Sequence, residues 1–320
     1  MKTLKTVFSI MAVLCLVTAP LFGGIQQNEH KTFSGKDTIK ISTVSGDVII
    51  KVGSTKQIVV DLKYDVTPKN AFDFVIQEQG SALRIKEKWY GRHSNGRVTW
   101  TLTVPAETKI KFETASGDFT ASGLTNSVKV KTASGDIDLW DMKSDIDIRV
   151  ASGDITLDNI EGDIEVSAAS GDIDAENLKG DIELSTASGD IEIKDSKGIF
   201  DISCASGDLE AGGIELENVS SFSTASGDVS VSLGKTTEYD LKISSASGDA
   251  LLDYNGNTIK GKFELVARKR SGRIKCPFKF DHEEEYKKYD QKYMKKVFTK
   301  GSSSPVIQIR TASGTAELKK

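Results

Sequence analysis

The triplet Ser-Gly-Asp occurs at residues 45–47, 116–118, 134–136, 152–154, 170–172, 188–190, 206–208, 226–228 and 247–249. From Ser116 to Ser206 each step is 18 residues, and the next two are 20 and 21. Degenerate copies, Ser271-Gly272-Arg273 and Ser313-Gly314-Thr315, follow. A fixed period of this length means a stack of like supersecondary units, each resting on its neighbours. Composition agrees. Hydrophobic residues make up 38% of the 320, below the usual ~45–50%, which suits a thin repetitive core.

Inside the unit a weaker copy sits nine residues on, where Gly162-Asp163-Ile164 follows Gly153-Asp154-Ile155. Each unit therefore holds two Gly-Asp corners and two short strands. Ile155, Leu157, Ile160, Ile164 and Val166 alternate with Thr156, Asp158, Glu161, Glu165 and Ser167. Such alternation buries one strand face and wets the other. A two-stranded unit cannot bury its apolar edge alone, so successive units stack. The predicted fold is all-β: a single-chain parallel β-solenoid (β-helix) with ~18-residue coils, ~4.8 Å apart.

Glycine marks each corner at Gly117, Gly135, Gly153, Gly171, Gly189, Gly207, Gly227 and Gly248, because a sharp reversal calls for φ > 0. Asp141, Asn159, Asn177 and Asp195 recur at the second corner and suggest an Asx ladder. Open strand edges at both ends need cover. The expected plan is a signal peptide over 1–24, a β-rich N-terminal cap over 25–110, regular coils over 111–270 and C-terminal coils over 271–320. A helical insertion is expected at about 281–299. Asp281 and Glu284 resemble a capping box there, and Tyr286, Tyr289, Tyr293 and Val297 share one helical face.

Lys2 and Lys5, the apolar run 7–17 and Thr18-Ala19-Pro20 form the three parts of a secretory signal. Export without a transmembrane segment after cleavage is expected, since a span needs ~20 apolar residues. Charge is uneven: +7 over 1–111, −19 over 112–233 and +8 over 234–320. Nucleic-acid binding shows as a basic stripe on one face, and the regular coils have the opposite sign.

Thr-Val-Pro at 103–105, Glu113-Thr114-Ala115-Ser116-Gly117-Asp118 and the Gly-Asp-Ile units resemble the bacterial putative-adhesin family of solenoid domains. Arg310-Thr311-Ala312-Ser313-Gly314 is similar to that family's final turn, and the likeness spans roughly 38–318. It implies an exported or cell-envelope protein of poorly defined function, and it brings no catalytic residues.

The candidate binding positions are the column Asp118, Asp136, Asp154, Asp172, Asp190, Asp208 and Asp228, with Asp249 continuing it, together with Trp140. Neighbouring carboxylates ~4.8 Å apart repel by about 0.9 kcal/mol even in water, so turn N–H groups or cations must offset them. The multi-glycine turn of calcium-binding nonapeptides is missing, and a structural turn role is expected, with no metal and no cofactor. Thr114, Thr132, Thr186, Thr224 and Thr311 share a column of buried parity, interrupted by Ala168 and Cys204. That parity favours a core or corner role over ice binding. Cys204 and Cys276 are expected as free thiols. An enzyme needs non-equivalent groups gathered in a cleft, whereas His30, His93 and His282 lie far apart in uniform coils. The expectation is an exported, non-enzymatic binding or scaffolding protein of the cell envelope, periplasm or surface. Its partner is expected to be an envelope macromolecule, protein or glycan. The rivals are a periplasmic structural or stress-signalling component and, behind it, a polysaccharide-acting enzyme.

Overall fold

The computed structural model describes residues 27–91 and 95–320, so the expected signal peptide and His93 lie outside the described residues. Among the described residues the chain is all-β, with one 3-10 turn at Lys69–Ala71. No helix there is long and apolar enough to cross a membrane.

The alternating pattern forms the strands as expected. Ile146–Ser152 buries Ile146, Ile148 and Val150 and turns Asp147 and Arg149 outward. Ile155–Glu161 buries Ile155, Leu157 and Ile160. Parallel pairing advances 18 residues per step, with Ile146 beside Ile164 and then Ile182, and Ile155 beside Ile173 and then Ile191. Like therefore stacks on like, and buried columns run along the molecule. One begins at Ile85, Ile41, Phe112, Val130 and Ile148, and ends at Ile243, Ile309 and Leu265.

Each unit also has a bend within or just past the strand that follows its Ser-Gly-Asp. Asp141, Asn159, Asn177 and Asp195 have φ of 54°, 52°, 55° and 46°, the left-handed region that Asn and Asp tolerate best among non-glycine residues. The Asx ladder expected here is only partial. Asn159 Nδ2 donates to Asp141 Oδ1 at 2.6 Å, but Asn177 Nδ2 reaches Asp158 instead.

At both ends the stacking order departs from the chain order. Thr38–Ser42 and Asp47–Val52 form a coil lying between 82–104 and 109–122. Coil formation thus begins within the segment expected to be only a cap. At the far end the last strand, Val306–Lys319, inserts between coil 241–253 and coil 261–275. Antiparallel strands cover what remains. Gln57–Thr67 lies on Asn95–Val104, Phe72–Gln79 on Ala82–Trp89, and Gln291–Lys300 on Gly261–Arg268.

The helix expected at 281–299 is a β-hairpin, His282–Lys288 paired with Gln291–Lys300. Tyr289 and Asp290 take φ of 47° and 60°, as a two-residue turn of the primed type requires. Tyr286 and Tyr293 face each other across the strands with ring centroids 5.6 Å apart. Asp281 caps no helix. Its Oδ2 accepts the N–H of Thr299 at 2.8 Å.

Candidate binding faces

The Ser-Gly-Asp column is a ladder of amide-to-carboxylate bonds. The N–H of Asp136 donates to Asp118 Oδ1 at 3.0 Å, Asp154 to Asp136 at 2.9 Å and Asp172 to Asp154 at 3.0 Å. Asp190, Asp208, Asp228 and Asp249 continue at 2.7–2.8 Å. Asp47 begins the ladder by accepting from Asp118, and Thr315 ends it on Asp249. One oxygen of each carboxylate is thereby committed to the turn of the next coil, which offsets the repulsion along the column. A hydrogen bond to an ionised acceptor is roughly twice as strong as a neutral one.

The threonine column points inward. Thr186, Thr224 and Thr311 donate to the carbonyls of Gly171, Gly207 and Gly248, and Ser245 to that of Gly227. Cys204 occupies the same place with Sγ 3.2 Å from the Gly189 oxygen. Burial pushes its thiol pKa up, as it does for half-buried Cys276, and both are free. Raised thiol pKa values do not suit nucleophilic chemistry.

Two broad faces flank the Asp ladder. The first carries Trp140, 38% exposed, between Ser122 and Asp158 in register. Beside it runs Thr120, Asp138, Thr156, Asp174, Glu192 and Glu210. Burial, and after it the neighbouring Glu192 and Asp172 carboxylates, raises the pKa of Asp174. The structure brings Trp140 and this acidic row onto one surface, with the Asp ladder along its edge.

The second face holds an open groove of about 580 Å³ lined by Lys109, Lys111, Lys129, Asp147, Glu165, Glu183, Asp201 and neighbours. Two residues along the strands, Ser167, Ser185, Ser203, Ser223 and Ser244 stack in register. Sequence reasoning did not separate these two faces. The serine three residues before each Ser-Gly-Asp from Ser170 onward, as in Ser185-Thr186-Ala187-Ser188, was the available signal.

A buried carboxylate at the N-terminal end was also missed. Glu87, 2% exposed, accepts from Trp100 Nε1 at 2.7 Å, Trp89 Nε1 at 3.2 Å and the Val44 amide at 2.9 Å. It fixes the first Ser-Gly-Asp turn against the outer coil. Among the described residues, no group of three or more His, Cys, Asp or Glu could hold a metal ion.

A family model described as Toastrack DUF4097 matches residues 36–265, in agreement with the resemblance carried by the Ser-Gly-Asp motifs. No curated protein matches the sequence. Among solved structures the chain is similar to a putative lipid binding protein from Parabacteroides distasonis. Identity is 15%, 93% of this chain and 97% of that one are covered, and the TM-score is 0.41. It is also similar to a putative adhesin from Bacteroides fragilis at 12% identity, with coverage of 92% and 96% and a TM-score of 0.31. A putative cell adhesion protein from Clostridium sporogenes matches at 10% identity, with coverage of 92% and 99% and a TM-score of 0.25. At such TM-scores these likenesses bear no functional weight.

Proposed function

The chain belongs to the Toastrack DUF4097 family, and from that premise we propose that it is an exported, non-enzymatic binding or scaffolding solenoid of the bacterial cell envelope or surface. The observation that carries this reading is register. Asp174, Glu192 and Glu210 stand one coil apart on one face, with Trp140 and Asp138 on the coils before them. A partner with its own repeat, a glycan or an extended protein segment, meets the same chemistry every ~4.8 Å. Individually weak contacts then add without any deep pocket. Trp140 supplies the aromatic platform at one end of the row.

The same regularity supports a non-enzymatic role. Catalysis sets two titratable groups in unlike environments, and these carboxylates repeat in like ones.

The test is fractionation of cells that make the protein, with protease added to intact cells and again after the outer membrane is opened. Cleavage on intact cells supports the surface role. Protection until opening supports the periplasmic structural or stress-signalling role. Recovery in the cytosol overturns both. Binding is read by cosedimentation with isolated envelopes. Trp140→Ala combined with Asp174→Asn and Glu192→Gln is expected to lower the bound fraction at least fivefold. Equal binding by that variant, or glycan hydrolysis by the purified protein, overturns the reading.

A further inference from the structure

Over eight coils the groove face carries a charge sequence that is antisymmetric along the solenoid axis, before the column goes on through Ser221 to Lys242, Gln308 and Glu264. In strand register the outward column reads Arg84, Lys40, Lys111 and Lys129, then Asp147, Glu165, Glu183 and Asp201. Four cations are followed by four carboxylates, and the sign changes once. Neutral residues stand beyond both ends, Gln77 before Arg84 and Ser221 after Asp201. All but Lys129 and Asp147 are exposed. At the sign change Lys129 pairs with Asp147, and Arg149 reaches Asp147 and Glu165. Among the described residues, Arg84, Lys40, Lys111, Glu183 and Asp201 make no ion pair within the chain.

We propose that this face is the interface between two copies of this chain, stacked face to face with their solenoid axes antiparallel. A two-fold axis lying along the strand direction, between Lys129 and Asp147, keeps each column over itself and reverses its order. Arg84 then faces Asp201 of the second copy, Lys40 faces Glu183, Lys111 faces Glu165, and Lys129 faces Asp147. Every contact occurs twice, as an isologous interface demands. The column beside it conforms, with Lys109 opposite Asp163, Ser127 opposite Asp145, and Ala82 opposite Ile199 beyond them. On the other side Lys131 meets Arg149, the one like-charged contact among these three columns, with Glu113 and Glu165 next to it. A parallel stack, or any shift by several coils, sets like charges against each other.

The area bounds the strength. Eight coils at ~4.8 Å and about five strand residues at ~3.3 Å cover roughly 600 Å² per copy. The total of about 1,200 Å² sits at the lower edge of stable specific interfaces. A micromolar dimer held by charge, and dispersed by salt, is what such a surface supports. The inference is independent of the envelope role, since the Trp140 face stays free in the pair.

Sedimentation velocity of the purified protein decides it, at 20 mM and 500 mM NaCl and up to tens of micromolar. Wild type is expected to dimerise in low salt and to dissociate in high salt. Arg84→Glu/Lys40→Glu and Glu183→Lys/Asp201→Lys are each expected to weaken self-association at least tenfold. Mixed one to one, they are expected to restore a heterodimer, because each new charge meets its opposite. Wild type remaining monomeric in low salt overturns the proposal, as does a mixture that fails to associate. Should a variant not fold, Lys111→Cys/Glu165→Cys gives an independent reading. These positions lie three coils apart in one chain, about 14 Å, too far for an internal disulfide. A short bismaleimide spans the ~10 Å between sheets packed face to face, which a disulfide cannot. On a Cys276→Ser background it is expected to cross-link the dimer in low salt, and its failure to do so overturns the pairing.

Discussion

A Cβ placed on Gly171 would lie 2.0 Å from the carbonyl oxygen of Gly153, at a φ of +126°. The contact comes from the coil below and the φ restriction from the residue's own backbone, so the corner admits no side chain without strain and without lifting one coil from the next. Gly171→Ala is expected to lower stability by more than about 2 kcal/mol in denaturant titration. Gly212→Ala, with nothing within 4 Å of the added carbon, is the matched control and should cost less than about 1 kcal/mol. Equal losses for the two would refute the stacking argument. Asp174 makes the opposite case on the exposed row. Burial and then Glu192 and Asp172 raise its pKa above the ordinary value for an aspartate. A carboxyl raised on folding favours the folded state below its unfolded pKa, and that contribution is lost as pH rises through the folded value. Asp174→Asn is therefore expected to raise the melting temperature at pH 7 and to leave it unchanged near pH 3. A variant no more stable at pH 7 than wild type would contradict the shift.

At the scale of the element, the closure of the C-terminal end rests on the strand that returns last. Val306–Lys319 supplies partners to coil 241–253 on one side and coil 261–275 on the other. Removing 303–320 is expected to abolish amide protection over 261–300 in hydrogen exchange. Protection over 116–210 should persist, since repeats depend on nearest neighbours. Loss of protection throughout would show a single cooperative unit instead. Glu264 ties the same end together. Burial pushes its pKa up, but Lys262 at 2.8 Å and Lys295 at 3.1 Å more than offset this and hold it below the ordinary value for a glutamate. A carboxyl depressed on folding stabilises above its unfolded pKa, and the contribution fades as pH falls through the folded value. Glu264→Gln should therefore cost about 1 kcal/mol at pH 7, and nothing at a pH well below 4. This end also shows where sequence reading stops. The coils were legible because Ile, Gly and Asp return every 18 residues, and register follows from period. The hairpin at 282–300 was not, because Tyr286 and Tyr293 fit a helical face as well as a cross-strand pair. Opposite charges mirrored about Tyr289–Asp290, Glu283 with Lys296 and Glu284 with Lys295, were the sign that favours the hairpin. The insertion of 306–319 was hidden for another reason. Ser313-Gly314 stacks on Ser247-Gly248 across 66 residues, and a period shows which units are alike, not which are adjacent. Candidate binding residues were the least legible, since any outward carboxylate of a repeated coil looks like every other.

For the whole molecule, stacking like on like imposes a cost that the ends do not share. The middle of the chain, 112–233, carries −19 while the flanking parts carry +7 and +8. Identical carboxylates then recur at each coil, in the Asp ladder and on both faces. Ladder hydrogen bonds answer for one oxygen of each turn aspartate, and ion pairs such as Lys179 with Glu161 answer for some of the rest. The remaining repulsion is long-ranged and open to screening. The Debye length falls from about 30 Å at 0.01 M to about 3 Å at 1 M, the first comparable to the length of the acidic stack and the second shorter than one coil spacing. Raising NaCl from 10 to 500 mM is therefore expected to increase amide protection within 116–210 more than at the basic ends. Submicromolar protein keeps self-association out of the reading. If instead the aspartates formed a specific calcium site, millimolar Ca²⁺ would raise the melting temperature beyond NaCl of equal ionic strength. Equal shifts are expected, because each Asp Oδ1 is already held by an amide and no described acidic cluster could hold a metal ion. A calcium-specific shift, lost in Asp154→Asn/Asp172→Asn, would show that the ladder's free oxygens act together as ligands.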